Sequence, residues 1–402
     1  MENQTGHIDQ IKQLNTGIVY RVIDQYGPIS RIALSKQSQL APASITKITR
    51  ELIDAHLVKE IEFPVLGLRG RPAIGLVIES EGWQFLSIRL ACNSISLSLK
   101  EINTQTIVEQ DYPFDVKGNE QFSNTLSSLI SHFFATYSRH LERVTAISIV
   151  LDGLVEPFSG VIYALPYYDI DNLPLGHFLT EQTGLPTYIQ PYVNALALAD
   201  YFSLYEKRTA KNIIYLQIDC VVSAAIINNG IALDSHTRRA IHFGHVQTQN
   251  TGETCYCGGI GCLEGAIAIP AILKHAVELQ HLYPSSSFFN HDITIDSFCL
   301  AVEDQDPLCL HVLNDIAQIL AKQLGQLINI FGTELILINS PLNRISSVFY
   351  SLLHQYCHSQ SIPLYRGELR IEQSEVTKKE SETALVQQAL YDGSLLLQLL
   401  QG

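Results

Sequence analysis

The 402-residue chain is 46% hydrophobic and 16% charged, which excludes a disordered polymer and allows large buried cores. No apolar run approaches the ~18 residues that a membrane span needs. Met1 to Asn15 lacks the apolar core of a secretory signal, so a soluble cytoplasmic protein of two or three domains is expected. The net charge of −14 hides an asymmetry: residues 1–75 carry nine Lys/Arg against seven Asp/Glu, and the remainder seventeen against thirty-three. A basic head on an acidic body points to a polyanion-binding module attached to something with another task.

Thr16 to Tyr26 carries Ile18, Val19, Val22 and Ile23 at helical spacing, and Gly27-Pro28 ends it. Ser30 caps a second helix with Ile32, Ala33 and Leu34. After Leu40-Ala41-Pro42, a third helix over 43–55 turns Ile45, Ile48, Leu52 and Ile53 inward. Its outward set is Ser44, Thr46, Lys47, Thr49 and Arg50, residue types that reach base edges and phosphates from a major groove. Leu57–Ile61 and Ile74–Ile78 read as strands around the loop 67–72, whose Arg69-Gly70-Arg71-Pro72 suits a narrow A·T minor groove. Three helices plus a β-hairpin is a winged helix-turn-helix. The expected DNA contacts are therefore Ser44, Thr46, Lys47, Thr49, Arg50, Arg69 and Arg71.

From Trp83 the texture alternates. Strands are expected at 85–90, 94–100, 145–151, 187–190, 212–218, 222–227 and 335–338, with helices at 121–140, 175–183, 194–205, 270–282 and 308–331. Some 300 residues of alternating elements imply an α/β body too long for one core. The expected division is 1–80 for the head, 81–194 for a first lobe and 195–384 for a second lobe. The second lobe would carry an oligomerisation surface, and a C-terminal helix over 385–402 would complete the first. Leu385, Ala389, Leu396 and Leu400 share a face of that helix, which would dock on its own body, another protomer or a partner. Phe133 and Phe134 are adjacent, and neighbouring helical positions differ by about 100°. Either both are buried between layers or one is a surface anchor.

Eight cysteines are present, and three of them lie in Cys255-Tyr256-Cys257-Gly258-Gly259-Ile260-Gly261-Cys262. With His245 they offer three thiolates and an imidazole, the donor set of a closed, structural tetrahedral zinc site. By spacing His242 rivals His245. The other cysteines, in apolar surroundings, read as buried thiols of a reducing compartment.

Together these motifs resemble the ROK family (repressors, open reading frames and kinases). The resemblance is carried by Gly244-His245, the run Cys255 to Glu264, the head segments Gly6 to Gln13, Leu40 to Ile48 and Arg69 to Ala73, and the terminal Gly393 to Leu396 with Leu399 to Gly402. It implies a two-lobed kinase-like (actin/hexokinase-type) α/β body behind the winged helix, and it covers nearly the whole chain. The family's kinases carry Asp-x-Gly-Gly-Thr after the first strand, where this chain has Arg89-Leu90-Ala91-Cys92-Asn93. Their second, glycine-rich phosphate loop matches the glycine-free Asp219 to Ala225, and their catalytic Asp matches Tyr192. His242 takes the place of a sugar-contacting Glu, and Asn339-Ser340 that of a Gly-Gly. These losses point away from an enzyme. A phenol near pKa 10 is also a poor base at neutral pH.

The resemblance is strongest to the glucose-regulating repressors of the family. It implies operator DNA as a ligand, a dimer or tetramer, and control by the unphosphorylated cytoplasmic domain of the glucose phosphotransferase transporter. The repressor would be recruited to the inner membrane without inserting into it, and Phe133 or Phe134 is the expected partner anchor. The competing readings are a bifunctional sugar kinase with a DNA-binding head and a repressor that responds directly to a sugar.

Overall fold

The computed structural model describes residues 3–63, 73–91, 93–103, 105–157, 159–165, 167–204, 210–228, 231–233, 241–248, 254–365, 369–376 and 378–401. The head is built from α1 (Asn3–Tyr26), α2 (Arg31–Ser38), α3 (Pro42–Asp54), β1 (Val58–Phe63) and β2 (Ala73–Ile78). Ser30 Oγ accepts from the Ala33 amide and caps α2, while Pro42 at the first position of α3 costs no helical hydrogen bond. Strands β1 and β2 pair antiparallel, Val58 opposite Ile78, and form the wing's stem. Arg69 and Arg71 lie outside the described residues. Helix α1 starts thirteen residues before the expected Thr16; its added turns carry only a thin apolar series, Ile8, Ile11 and Leu14, among polar residues.

The body holds two five-stranded sheets of the same plan. The first uses β3 (Trp83–Ala91), β4 (Ser94–Glu101), β5 (Thr106–Pro113), β6 (Arg143–Leu151) and β9 (Thr187–Pro191), in the order β5-β4-β3-β6-β9. Strands β3 to β5 form an antiparallel meander, and β6 and β9 add in parallel. The small hairpin β7 (Leu154–Glu156) with β8 (Val161–Ala164) projects between them. Helices α4 (Asn119–Thr136) and α5 (Leu175–Thr183) make the crossovers that parallel neighbours require, and α6 (Tyr192–Leu204) leads out. The second sheet repeats the meander with β10 (Ile213–Ile218), β11 (Val222–Asn228) and β12 (Ile231–Ala232), then adds β13 (Leu335–Asn339) and β14 (Arg370–Gln373) in parallel. Its helices are α7 (Glu264–Ile267), α8 (Ile269–Glu278), α9 (Ile295–Glu303), α10 (Pro307–Phe331) and α11 (Ser346–Gln360).

Each sheet has its own apolar core. Leu86, Leu97, Ile147 and Ile149 meet Phe122 and Ile130 in the first, and Ile214, Leu216 and Ile336 meet α10 and Phe349 in the second. Asp306 sets the start of α10: its carboxylate accepts from the Leu308 and Cys309 amides and from Ser286 and Ser287. Burial would raise this carboxyl, but those hydrogen bonds outweigh it and hold it below the usual range. Its stabilisation is therefore present above the ordinary Asp pKa and lost as pH falls through the lowered one. We expect Asp306→Ala to lower unfolding free energy by about 2 kcal/mol in urea melts near neutral pH.

The chain's last described elements are α12 (Lys378–Tyr391) and α13 (Ser394–Gln401), a correction to the single helix expected from 385. Gly393, at φ +81°, turns the chain between them, so Leu385 and Leu400 do not share one face. Residues 378–384, expected in the second lobe, pack α12 onto β3 and β6 of the first. The two helices also dock on the head. Val386, Ala389, Leu390, Leu395 and Leu396 share one core with Val19, Ile23, Leu34, Ile45 and Leu52 of the head and with Trp83 and Ala146 of the first sheet.

Candidate metal centre, cleft and nucleic-acid face

A short 3-10 turn, Phe243–His245, delivers His245 to the cysteine loop. The loop is closed by Thr248 N–H to Gly261 O and Cys255 N–H to Gly259 O, each 2.8 Å, and by bridges between Gln247 and Cys262 and between Thr254 and Ile260. A Cβ on Gly259 would press on the sulfurs of Cys257 and Cys262, so this position must be bare for the thiols to converge. One donor atom from each of His245, Cys255, Cys257 and Cys262 lies within 4.8 Å of the others. Cys255 Sγ is 3.5 Å from His245 Nδ1, and Cys257 Sγ is 3.7 Å from Cys262 Sγ. The Gly259 amide donates to Cys257 Sγ at 3.4 Å.

Burial, then His242, lowers the His245 pKa to about 4, so its imidazole is neutral at pH 7, as a ligand must be. Burial and the neighbouring thiols push Cys262 up to about 12. A converging S3N set of this kind fits a tetrahedral divalent ion. His242, the rival by spacing, caps the 3-10 turn and is not among the four clustered donors. His245 Nε2 lies 3.2 Å from the Tyr256 hydroxyl, a partner that spacing did not reveal and that orients the ring.

Glu264 ties this loop to the second sheet. Its Oε2 accepts from the Val222 amide at 3.0 Å, and burial raises its pKa to about 7. Gly244 packs directly on the Val222 carbonyl and leaves no room for a side chain.

A cleft of about 220 Å³ lies between the lobes. Arg89, Asp152 and Tyr192 line it from the first lobe, and Gln217, Asp219 and Cys220 from the second. Gln217 donates to Asp152 across the gap at 3.4 Å, and burial, then Asp219, raises Asp152 to about 7. Burial also raises the pKa of the Tyr192 phenol, so it stays protonated and has no free base form to offer at neutral pH. In the β10–β11 turn the Cys220 amide donates to the carboxylate of Asp219 at 2.9 Å, while Glu264 takes the Val222 amide. Carboxylates occupy these amides, where a phosphate-binding turn would present free N–H groups.

On the head, Thr46, Lys47 and Arg50 are exposed along α3 and Ser44 is half-buried. Thr49 corrects the expected outward set: it is fully buried and its hydroxyl accepts from Arg31 Nε at 3.2 Å. Helix α2 covers that side of α3 and turns the threonine into a bracket for Arg31, which also pairs with Glu60 at 2.6 Å. Phe133 corrects a second expectation. It is 0% exposed, its ring 4.9 Å from that of Tyr137, whereas Phe134 is half-buried at the edge of the same core. No described helix is long and apolar enough to cross a membrane.

The sequence profile of the ROK family matches residues 85–366. The Escherichia coli (strain K12) protein called DNA-binding transcriptional repressor Mlc is 38% identical over 405 aligned positions, spanning 100% of this chain and 99% of that protein. The DNA-binding transcriptional dual regulator NagC of the same strain is 32% identical over 401, covering 99% of this chain and 98% of its own length. Among solved structures, a ROK family transcriptional regulator described as a homologue of E. coli Mlc superposes with a TM-score of 0.88 at 37% identity, over 98% of this chain and 100% of that one. A ROK family glucokinase from Streptomyces griseus, solved with glucose and AMPPNP, superposes with a TM-score of 0.61 at 16% identity, over 75% of this chain and 98% of that one. The last likeness establishes that the two-sheet body has the fold of the sugar kinases.

Proposed function

The chain belongs to the ROK family, and on that footing we propose that it is a transcriptional repressor of sugar-uptake and phosphotransferase genes whose kinase-like body has lost catalysis. The observation that carries this reading is the 38% identity to a DNA-binding repressor across head and body alike. The exposed Thr46, Lys47 and Arg50 on α3 support operator contact, with Ser44 at the rim; Arg69 and Arg71, outside the described residues, are further contacts on the sequence reading alone. One head covers too little DNA for strong selectivity, so the repressor acts as a dimer or tetramer on a palindromic site.

His245, Cys255, Cys257 and Cys262 hold one structural zinc, which fixes the loop against the β10–β11 turn. The amides occupied by Asp219 and Glu264, and Tyr192 in the place of a catalytic carboxylate, speak against the kinase reading. Direct sugar sensing is disfavoured by the same losses. Release from the operator then falls to a protein partner, the unphosphorylated cytoplasmic domain of the glucose transporter. The repressor works in the cytoplasm and is drawn to the membrane only through that partner. Phe134, half-buried at the edge of the first core and next to the Phe133 ring, is the anchor for it.

The test is operator selection from genomic fragments with the full chain, followed by release assays. Lys47→Ala should weaken operator binding about tenfold. Phe134→Ala should keep operator affinity and lose release by the unphosphorylated transporter domain. Release by free glucose alone, or hexose-dependent ATP turnover, would overturn the reading.

A further inference from the structure

Helix α12 is clamped at both ends, to different parts of the molecule. Its N-terminal half packs on the first sheet, against Arg89, which lines the interlobe cleft. Glu382 lies 2.8 Å from Lys100 Nζ and 3.8 Å from Arg89 Nε. The hydroxyls of Ser87 and Ser148, on the two central strands of the first sheet, both donate to the Glu382 carbonyl. Tyr192 hydrogen-bonds Ser381. Arg89 and Tyr192 are also cleft walls, facing Asp219 of the second lobe. Arg89 thus stands between Glu382 on α12 and Asp219, the cleft carboxylate whose distance depends on how the lobes are set.

The far end of α12 holds the head. Tyr391 Oη donates to Asp24 Oδ2 on α1 at 2.5 Å and accepts from Gln387 Nε2 at 2.9 Å. Gln13 Nε2 donates to the Asp392 carbonyl at 3.2 Å. Gly17 and Gly393 face each other so closely that a Cβ on either would collide with the other segment's backbone. Glu382 and Tyr391 lie on one continuous helix, about 14 Å apart along its axis. An α-helix packed along its length moves as a unit, so a shift at one clamp reaches the other.

We propose that α12 is a rigid coupling rod that carries the state of the interlobe cleft to the orientation of the head, with Arg89 and Tyr192 as the sensing residues and Tyr391 with the Gly393 turn as the grip on α1. A partner or ligand that changes the lobe setting shifts Arg89 between Glu382 and Asp219. The head follows without touching the effector, because α12 connects the two sites physically.

The test is amide hydrogen exchange across residues 13–24 of α1 in the full chain, with Arg89→Gln, Tyr391→Phe and the double variant. Each single change should speed exchange there at least fivefold, and the double variant should add little to the larger single effect, because both cut the same rod. Arg344→Ala, which breaks a surface pair with Glu303 on the second lobe, should leave α1 unchanged. If Arg89→Gln does not fold, Tyr192→Phe removes the bond to Ser381 at nearly constant volume and is read in the same way. Unchanged α1 exchange in the cleft variant, or effects that multiply independently, would overturn the proposal. What the head does when it moves rests on the repressor reading. Failure of the unmodified chain to select any operator would sink that reading, while α1 exchange would still decide the coupling.

Discussion

Cys257→Ser should empty the metal site. Elemental analysis of reduced, freshly purified protein should give about one zinc per chain for the unmodified form and near zero for the variant. The loss would leave two thiols and an imidazole crowded within 4.8 Å with no cation between them. Each such group costs about 1–3 kcal/mol when left unsatisfied. The damage should travel, because the same loop presents Glu264 to the Val222 amide and packs Gly244 on the Val222 carbonyl. A fall of about 10 °C in the thermal midpoint is expected. A zinc content that survives the substitution would remove Cys257 from the ligand set, and a metal-free unmodified protein would remove the zinc.

Glu382→Ala should destabilise the first lobe nearly as much. Lys100 is 0% exposed and Glu382 is 2% exposed, so truncating the acid strands an ammonium group inside the lobe. Breaking a buried pair from one side costs about 3–5 kcal/mol, whereas replacing both partners with apolar residues of similar size is often neutral or stabilising. Lys100→Met combined with Glu382→Leu should therefore recover most of what Glu382→Ala loses in urea unfolding. If the double change is no better than the single one, Lys100 is not held by Glu382, and the short contact between them carries little energy.

The convergence of the cysteine loop with His245 was legible in the sequence because its signal is local: three cysteines and three glycines lie within eight residues. The head was legible for the same reason, its caps and breaks being short-range signals at Ser30 and Pro42. What sequence reasoning missed depends on neighbours far along the chain. Thr49 reads as outward from its polar type, yet it sits four residues from both Ile45 and Ile53 on the inward face of α3, where α2 delivers Arg31 onto it. Strand β5 escaped because an edge strand needs only one covered face; Glu109, Gln110 and Asp111 are exposed there and blur the alternation. Phe133 and Phe134 look alike in sequence, and only the packing of Tyr137 against the first decides which is core. The doubled sheet plan was invisible because the two meanders share hydrogen-bonding order and no recognisable residues.

The core of the head contains Val386, Ala389, Leu390, Leu395 and Leu396, residues made more than 360 positions after Val19 and Ile23, which they cover. On a ribosome moving at 5–20 residues per second, that separation is roughly 20–70 s of synthesis. Throughout that interval the nascent head carries an apolar face with nothing to close it, while both sheets behind it can already pair. The domain that emerges first is thus completed last, and a prematurely terminated product would carry the recognition helix on an unfinished support.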